Sequence, residues 1–333
     1  MEILYAARMG FCYGVRNAYE QAMALAEQAL SRASSAAKPA TPVYLLGDIV
    51  HNAEVVARIE AAGIHQVKNP DEITEPHARV LIRTHGCRRE DIELLTMRRH
   101  EVVDLTCEVV LSVRQKAMKL EQRHPAVVVL GKKRHPEVVG LVSWLRNPFV
   151  VSDDSDIAVI PDYPSVGAVS QTTFARELRQ ELVGLLRERF PLVEALDTIC
   201  RHTERNQQTS VDLARQCDKI LVIGDQHSSN SRQLYEVVRR ANARAHFLSR
   251  PEQVESSWFP ESGAGQWENL KVGLTAGAST PDWIVSGIAR RVRELAGDAG
   301  ASAEIDGAGQ SESPQALASD RQGKNRVHGK DGI

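Results

Sequence analysis

Aromatic side chains are scarce, at 5% of the 333 residues, so the core has to be built from Val, Leu, Ile and Ala. No apolar run approaches the ~20 residues that a membrane-spanning helix needs. Neither charge sign is in large excess: 41 Lys and Arg stand against 43 Asp and Glu, a net charge of −2. A nucleic-acid partner would require a basic face, and none is forecast. The opening residues, MEILYAARMGFCYG, lack a basic region followed by an apolar stretch, so no secretory signal is read. A cytoplasmic protein is the expectation. Cysteines are few: Cys12, Cys87, Cys107, Cys200 and Cys217. In a reducing compartment they point to metal, catalysis or core rather than to disulfides. From about Gly297 onward large apolar residues all but vanish, and residues 297–333 read as a disordered tail. SRASSAAKPATP, residues 31–42, reads as a loop.

What is present is a repeat. Cys12 and Cys107 are 95 positions apart, and Cys107 and Cys200 are 93 apart. Each cysteine precedes a helical pattern: VRNAYEQAMALAEQAL, VVLSVRQKAMKLEQR and RHTERNQQTSVDLARQ. Each helix leads to a β-branched run ending in glycine: VYLLG, AVVVLG and ILVIG. Such short apolar runs suit buried parallel strands. Four residues past each glycine stands a polar group, His51, His135 or Ser228. A further strand in each unit, ARVLIRTHG, VGAVSQTT or LKVGLTAGAST, precedes another helix. Each third therefore offers three strand ends, each followed by a helix. Alternating strands and helices imply parallel sheets under helices, and such sheets bind ligands at the carboxyl ends of their strands. The expected fold is α/β, with three pseudo-equivalent lobes over residues 1–106, 107–199 and 200–296. Each lobe points its strand ends, and one cysteine, at a common cavity.

Three cysteines converging on one point suggest a metal centre. Zinc takes three protein ligands plus water, or four. A 4Fe–4S cluster held by three cysteines leaves one iron open. The competing reading is that buried cysteines pack as small hydrophobes. Cys217, between a helix and a strand, reads as core, and Cys87 as an incidental thiol.

In GKKRHPEVVG, His135 and Glu137 flank Pro136. Proline at a helix start with an acid in the first turn is ordinary capping. The functional alternative makes Glu137 a proton donor in a closed pocket. DQHSSNSRQLYEV places Ser228, Ser229 and Asn230 at a helix start, more polar groups than one N-cap needs. Hydroxyls beside free backbone N–H groups form an anion site. Thr172 and Thr173 in SQTTF, and Ser279 in TAGAST, occupy similar places. His51 and His85 join His135 at matched strand ends, a set that suits a phosphate or diphosphate.

In order along the chain, GFCYGV, DLTC, RTHG, HPEVVG, SQTT, DTIC, SSNS and TAGAS resemble the LytB-type 4-hydroxy-3-methylbut-2-enyl diphosphate reductase family. The resemblance spans roughly residues 10–285. It implies a trefoil of α/β lobes around one 4Fe–4S cluster, ligated by Cys12, Cys107 and Cys200, with one iron free of protein ligands. It implies reductive removal of the substrate's allylic hydroxyl, giving isopentenyl and dimethylallyl diphosphate, the last step of the methylerythritol phosphate route. Glu137 would supply protons with help from Thr172. The histidines, Thr173, Ser228, Ser229, Asn230 and Ser279 would hold the substrate. Electrons would come singly from ferredoxin or flavodoxin. The sequence departs from the family pattern at Asn17, Thr84, Cys87, Glu108, Asp197, Asp225 and Gln226. The runner-up readings are another three-cysteine 4Fe–4S enzyme resembling quinolinate synthase, and a non-catalytic cluster- or diphosphate-binding regulator.

Overall fold

The computed structural model describes residues 1–35, 41–259 and 267–297. Among them the chain opens with strand β1 (Glu2–Tyr5) and helix α1 (Tyr13–Ser35). Helix α1 runs five residues into the stretch read as a loop, and residues 36–40 lie outside the described part. The expected tail likewise lies outside it, apart from Gly297.

The first sheet contains β2 (Val43–Leu46), β3 (Ile64–Val67), β4 (Arg79–Ile82) and β5 (Glu101–Asp104), with helices α2 (Ala53–Ala61) and α3 (Arg89–Met97). The second contains β6 (Val127–Leu130), β7 (Pro148–Val151), β8 (Val166–Ser170) and β9 (Val193–Ala195). Its helices are α4 (Glu108–Glu121), α5 (Pro136–Val142), α6 (Ser155–Ala158) and α7 (Arg176–Arg189). The third contains β10 (Lys219–Ile223), β11 (Ala245–Leu248) and β12 (Lys271–Ala276), with α8 (Arg201–Ala214), α9 (Ser229–Ala241) and α10 (Asp282–Leu295).

Every pairing is parallel, and the strand orders are β3-β2-β4-β5, β7-β6-β8-β9 and β11-β10-β12-β1. The order is the same three times, and the fourth strand of the third sheet comes from the chain's first residues. The expected first lobe, 1–106, is corrected accordingly: Glu2–Tyr5 pairs with Lys271–Leu274. A four-residue strand ahead of the first cysteine carries no signal of its partner, which lies some 270 residues away.

Alternate residues of each central strand feed opposite cores, as the period of two requires. Val43, Leu45 and Leu81 pack on one face of the first sheet, and Tyr44, Leu46, Val80 and Ile82 on the other. Val128 and Leu130 divide from Val127 and Val129 in the same way in the second sheet. Leu81 is fully buried, and its truncation to Ala would cost about 2–5 kcal/mol.

The cysteines sit on the links between lobes. Cys107 joins β5 of the first sheet to α4, which packs on β6 and β8 of the second. Cys200 joins β9 to α8, which packs on β12 of the third. Cys12 joins β1 of the third sheet to α1, which packs on β2 of the first. An aromatic seam supports this last link. Trp283 of α10 meets Phe11 edge-on at 6.0 Å and Tyr19 at 5.8 Å, with the Arg58 guanidinium 4.0 Å from its ring centre.

Candidate active site

Three of the four strands in each sheet end at one cavity of about 730 Å³. The fourth edge, β3, β7 or β11, contributes none of its lining. All thirteen residues singled out from the sequence line this cavity. They are the cysteines Cys12, Cys107 and Cys200; the lobe 1 and lobe 2 groups His51, His85, His135, Glu137, Thr172 and Thr173; and Ser228, Ser229, Asn230 and Ser279 of lobe 3.

One backbone motif places all three cysteines. The N–H of Cys107 donates to the Thr84 carbonyl at 3.0 Å, that of Cys200 to Thr172 at 2.8 Å, and that of Cys12 to Ala278 at 3.3 Å. Each acceptor follows the third strand of its lobe. Each cysteine carbonyl then accepts the first i→i−4 hydrogen bond of its helix, from the N–H of Leu111, Glu204 or Arg16. None of the three is in a disulfide. Burial and the neighbouring cysteine sulfurs push the Cys12 thiol up to about 12, and burial pushes Cys107 up to about 11. Thiolates here therefore require a cation to offset their desolvation. Gly14 leaves the space that Cys107 needs: a Cβ there would stand 2.6 Å from its sulfur. Cys87 is packed in the first lobe's core and Cys217 in the third's. Three sulfur donors thus face the cavity.

Glu137 is 2% exposed. The Thr172 N–H donates to its Oε1 at 2.6 Å and the Thr172 hydroxyl to its Oε2 at 2.8 Å. Those bonds favour the carboxylate, but burial outweighs them and raises Glu137 from 4.5 to about 7. Thr172 thus holds the carboxyl with its N–H and hydroxyl, and Cys200 with its carbonyl.

The three imidazoles form a cluster. His51 stacks on His85 at 5.1 Å, and His135 stands edge-on to both, at 6.0 and 5.3 Å. Burial is the main cause that holds all three below the usual histidine range, with His135 at about 4. Arg83 reinforces this from behind the cluster, without lining the cavity. Its side chain occupies the space over Gly47, whose φ of +74° suits only glycine readily. One ligating nitrogen from each ring falls within 4.8 Å of the others, a spacing that also fits a metal ion. However, His135 Nδ1 accepts the Glu137 N–H at 3.2 Å. Neutral His135 then carries its proton on Nε2 and is a donor. Across the cavity, Ser279 donates to Ser228 at 3.2 Å, and Ser228 caps α9 by accepting the Ser231 N–H. Asn230 Nδ2 and His85 Nδ1 are buried without a partner. Unpaired buried polar atoms of this kind are costly unless a ligand satisfies them.

Several lining groups were not singled out from the sequence. Val15, Val50, Val109 and Val110 give the cavity apolar walls, and His202 lines it with its Nε2 buried and unpaired. Lys132 reaches from lobe 2 to Ser229 at 3.1 Å. His202, two residues past a cysteine at a helix start, was the one detectable signal among them.

A three-lobed α/β protein with three cysteines, a buried carboxyl and an imidazole–hydroxyl ring in one cavity belongs to a narrow class of iron–sulfur enzymes. The family profile described as "LytB protein" matches residues 3–293, and the chain belongs to the LytB family, an iron–sulfur family of oxidoreductases. It is 33% identical over 296 residues to the 4-hydroxy-3-methylbut-2-enyl diphosphate reductase of Geobacter metallireducens, covering 89% of this chain and 98% of that one. It is 33% identical to the enzyme of the same name from Aquifex aeolicus, covering 89% and 97%. A solved structure of (E)-4-hydroxy-3-methyl-but-2-enyl diphosphate reductase, described as the terminal enzyme of the non-mevalonate pathway, superposes with a TM-score of 0.66 at 32% identity. It covers 88% of this chain and all of that one. A Plasmodium falciparum reductase structure shares the fold, with a TM-score of 0.75 at 22% identity over 96% of this chain and 99% of that one. The quinolinate-synthase-like reading falls away with this match.

Proposed function

We propose that this chain removes the allylic hydroxyl of (E)-4-hydroxy-3-methylbut-2-enyl diphosphate by two-electron reduction, giving isopentenyl and dimethylallyl diphosphate. The observation that carries the reading is Glu137: a buried carboxyl, held near neutral pH, in the same cavity as three thiols and a ring of anion-binding groups. A protein that merely bound an anion would gain nothing from it.

Three sulfur donors fit a 4Fe–4S cluster, one per chain, with one iron left without a protein ligand. When bound, that group supplies electrons and a Lewis-acid position for the substrate oxygen. Cys12, Cys107 and Cys200 would hold it. The neutral histidines, with His135 Nε2–H as a fixed donor, hold the diphosphate together with Ser228, Ser229, Asn230, Ser279 and Thr173. A donor ring rather than a metal site follows from the His135–Glu137 bond. Arg83 and Lys132 add positive charge from behind. Below about pH 7 the Glu137 carboxyl keeps its proton. Its Oε2 adjoins the Thr172 hydroxyl, which both accepts and donates. A proton can therefore pass from Glu137 through Thr172 to the departing hydroxyl, which leaves as water. The second proton goes to carbon, at either end of the allyl unit, and the two products follow. The apolar valines keep bulk water from competing.

A small one-electron carrier, ferredoxin or flavodoxin, is the proposed donor. Five free thiols support a reducing, cytoplasmic setting, and no described helix is long and apolar enough to cross a membrane. The test is anaerobic turnover of the diphosphate substrate by reconstituted protein with dithionite as reductant. Both five-carbon products should form; Cys107→Ser should abolish them, and Glu137→Gln should slow their formation about 10²–10⁴-fold. A wild-type protein with an intact cluster that binds the substrate without turnover would instead be the regulator.

A further inference from the structure

Three hydroxyls that line the cavity are engaged from behind. Gln171 Nε2 donates to the Thr173 hydroxyl at 2.9 Å, and Lys132 Nζ donates to the Ser229 hydroxyl at 3.1 Å. Ser228 accepts both the Ser231 N–H and the Ser279 hydroxyl. A hydroxyl has one hydrogen and accepts with its lone pairs. That hydrogen cannot point at an incoming donor, so each of the three keeps it for a partner inside the cavity.

Two of these backing groups are linked. Gln171 is 1% exposed, and its Oε1 accepts the Lys132 N–H at 3.1 Å. One buried amide thus fixes the Thr173 hydroxyl and the loop that carries Lys132. Gly131 lets this loop lie against Gln171, whose Cβ would stand 3.0 Å from a Cβ added there. The lysine belongs to the β6–α5 loop of lobe 2 and the serine to the start of α9 in lobe 3, so their bond crosses between lobes. Ser229 lines the cavity and Lys132 does not. The next residue, Lys133, is committed to Asp156. Lys132 feels the charge of Arg232 instead, and among the described residues no carboxylate pairs with it.

We propose that Lys132 is a positioning residue for the diphosphate. It acts through Ser229 without touching the anion. By donating from behind, the ammonium turns the Ser229 hydroxyl into a fixed donor aimed at the cavity. Bonds to a charged group are the stronger ones, and hydrogen bonds in a chain polarise one another. Ser229 therefore meets the diphosphate as a better donor than an unsupported serine would. The proposal rests on the diphosphate assignment made above and names the residue that tunes it.

The test is anaerobic calorimetric titration of the full chain, loaded with its cluster, with inorganic pyrophosphate. K132M keeps the aliphatic stem and should weaken binding about tenfold. S229A should weaken it at least as much. K132M combined with S229A should bind no more than about twofold worse than S229A alone, because the lysine has nothing left to act through. R134M removes the same charge from the same loop and should stay within about twofold of wild type. In turnover with dithionite, K132M should raise KM about tenfold with kcat nearly constant. Losses that multiply in the double variant overturn the proposal, since Lys132 would then act independently of Ser229. Equal weakening by R134M does so too, since charge alone would account for it. Pyrophosphate held equally by wild type and K132M overturns this proposal alone, whereas a wild type that binds none overturns the diphosphate assignment with it.

Discussion

Lobes 2 and 3 deliver the same strand ends to the same cavity and furnish them with different chemistry. Past β6 and β8, lobe 2 presents Glu137 and Thr172, a titrating carboxyl and the hydroxyl that contacts it. Past β10 and β12, lobe 3 presents Ser228, Ser229, Asn230 and Ser279, none of which titrates. A repeated backbone fixes where side chains arrive; what they do is decided one residue at a time. On the proposed reading, lobe 2 moves a proton and lobe 3 holds an anion still.

The largest effect should come from Glu137→Gln, which keeps the shape and removes the proton. kcat should fall about 10²–10⁴-fold, the range of general acid catalysis, with KM little changed. A similar loss from a lobe 3 substitution would break the division. Next comes Asn230→Ala. Losing one hydrogen bond to a charged group costs about 1.5–3 kcal/mol, so KM should rise roughly 10–100-fold at nearly constant kcat. Steady-state kinetics with dithionite reads both variants.

The pH profile sharpens the contrast. Burial raises Glu137 from 4.5 to about 7, so the donating form prevails below that value and is lost above it. The rate should fall about tenfold per unit once pH exceeds about 7, as a single ionisation requires. Asn230→Ala should keep the same profile. Thr172→Val cuts the proton path from Glu137 to the departing hydroxyl, so its loss of kcat should approach that of Glu137→Gln. The Thr172 hydroxyl favours the carboxylate, so its loss should move the falling limb to higher pH. A shift to lower pH would contradict the hydrogen bond at Oε2.

Much of this arrangement was legible in the sequence, because chemistry and topology coincide. Every strand that ends at the cavity is followed by a cysteine, histidine, serine or threonine, and the spacing of the cysteines exposed the repeat. The strands β3, β7 and β11 were not read. They lie at sheet edges, are only partly buried, end away from the cavity and carry no motif. Thr84, noted only as a departure, turned out to supply a carbonyl to Cys107 and a hydroxyl bond to Ile49 at 2.6 Å. His202 is hidden for a different reason: a helix-start histidine looks solvent-facing until a neighbouring lobe packs beside it, while Lys132 stays exposed and touches the site only through Ser229.

The strand β1 gives the molecule a history as well as a shape. It precedes every other described strand along the chain, yet its only sheet partner among them, β12, follows all the rest. The third sheet therefore cannot close until β12 has been made, and Cys12, which hangs from that closure, cannot take its place before then. Contacts that span so much sequence form slowly. Gathering all three sulfurs at one cavity thus waits for β12.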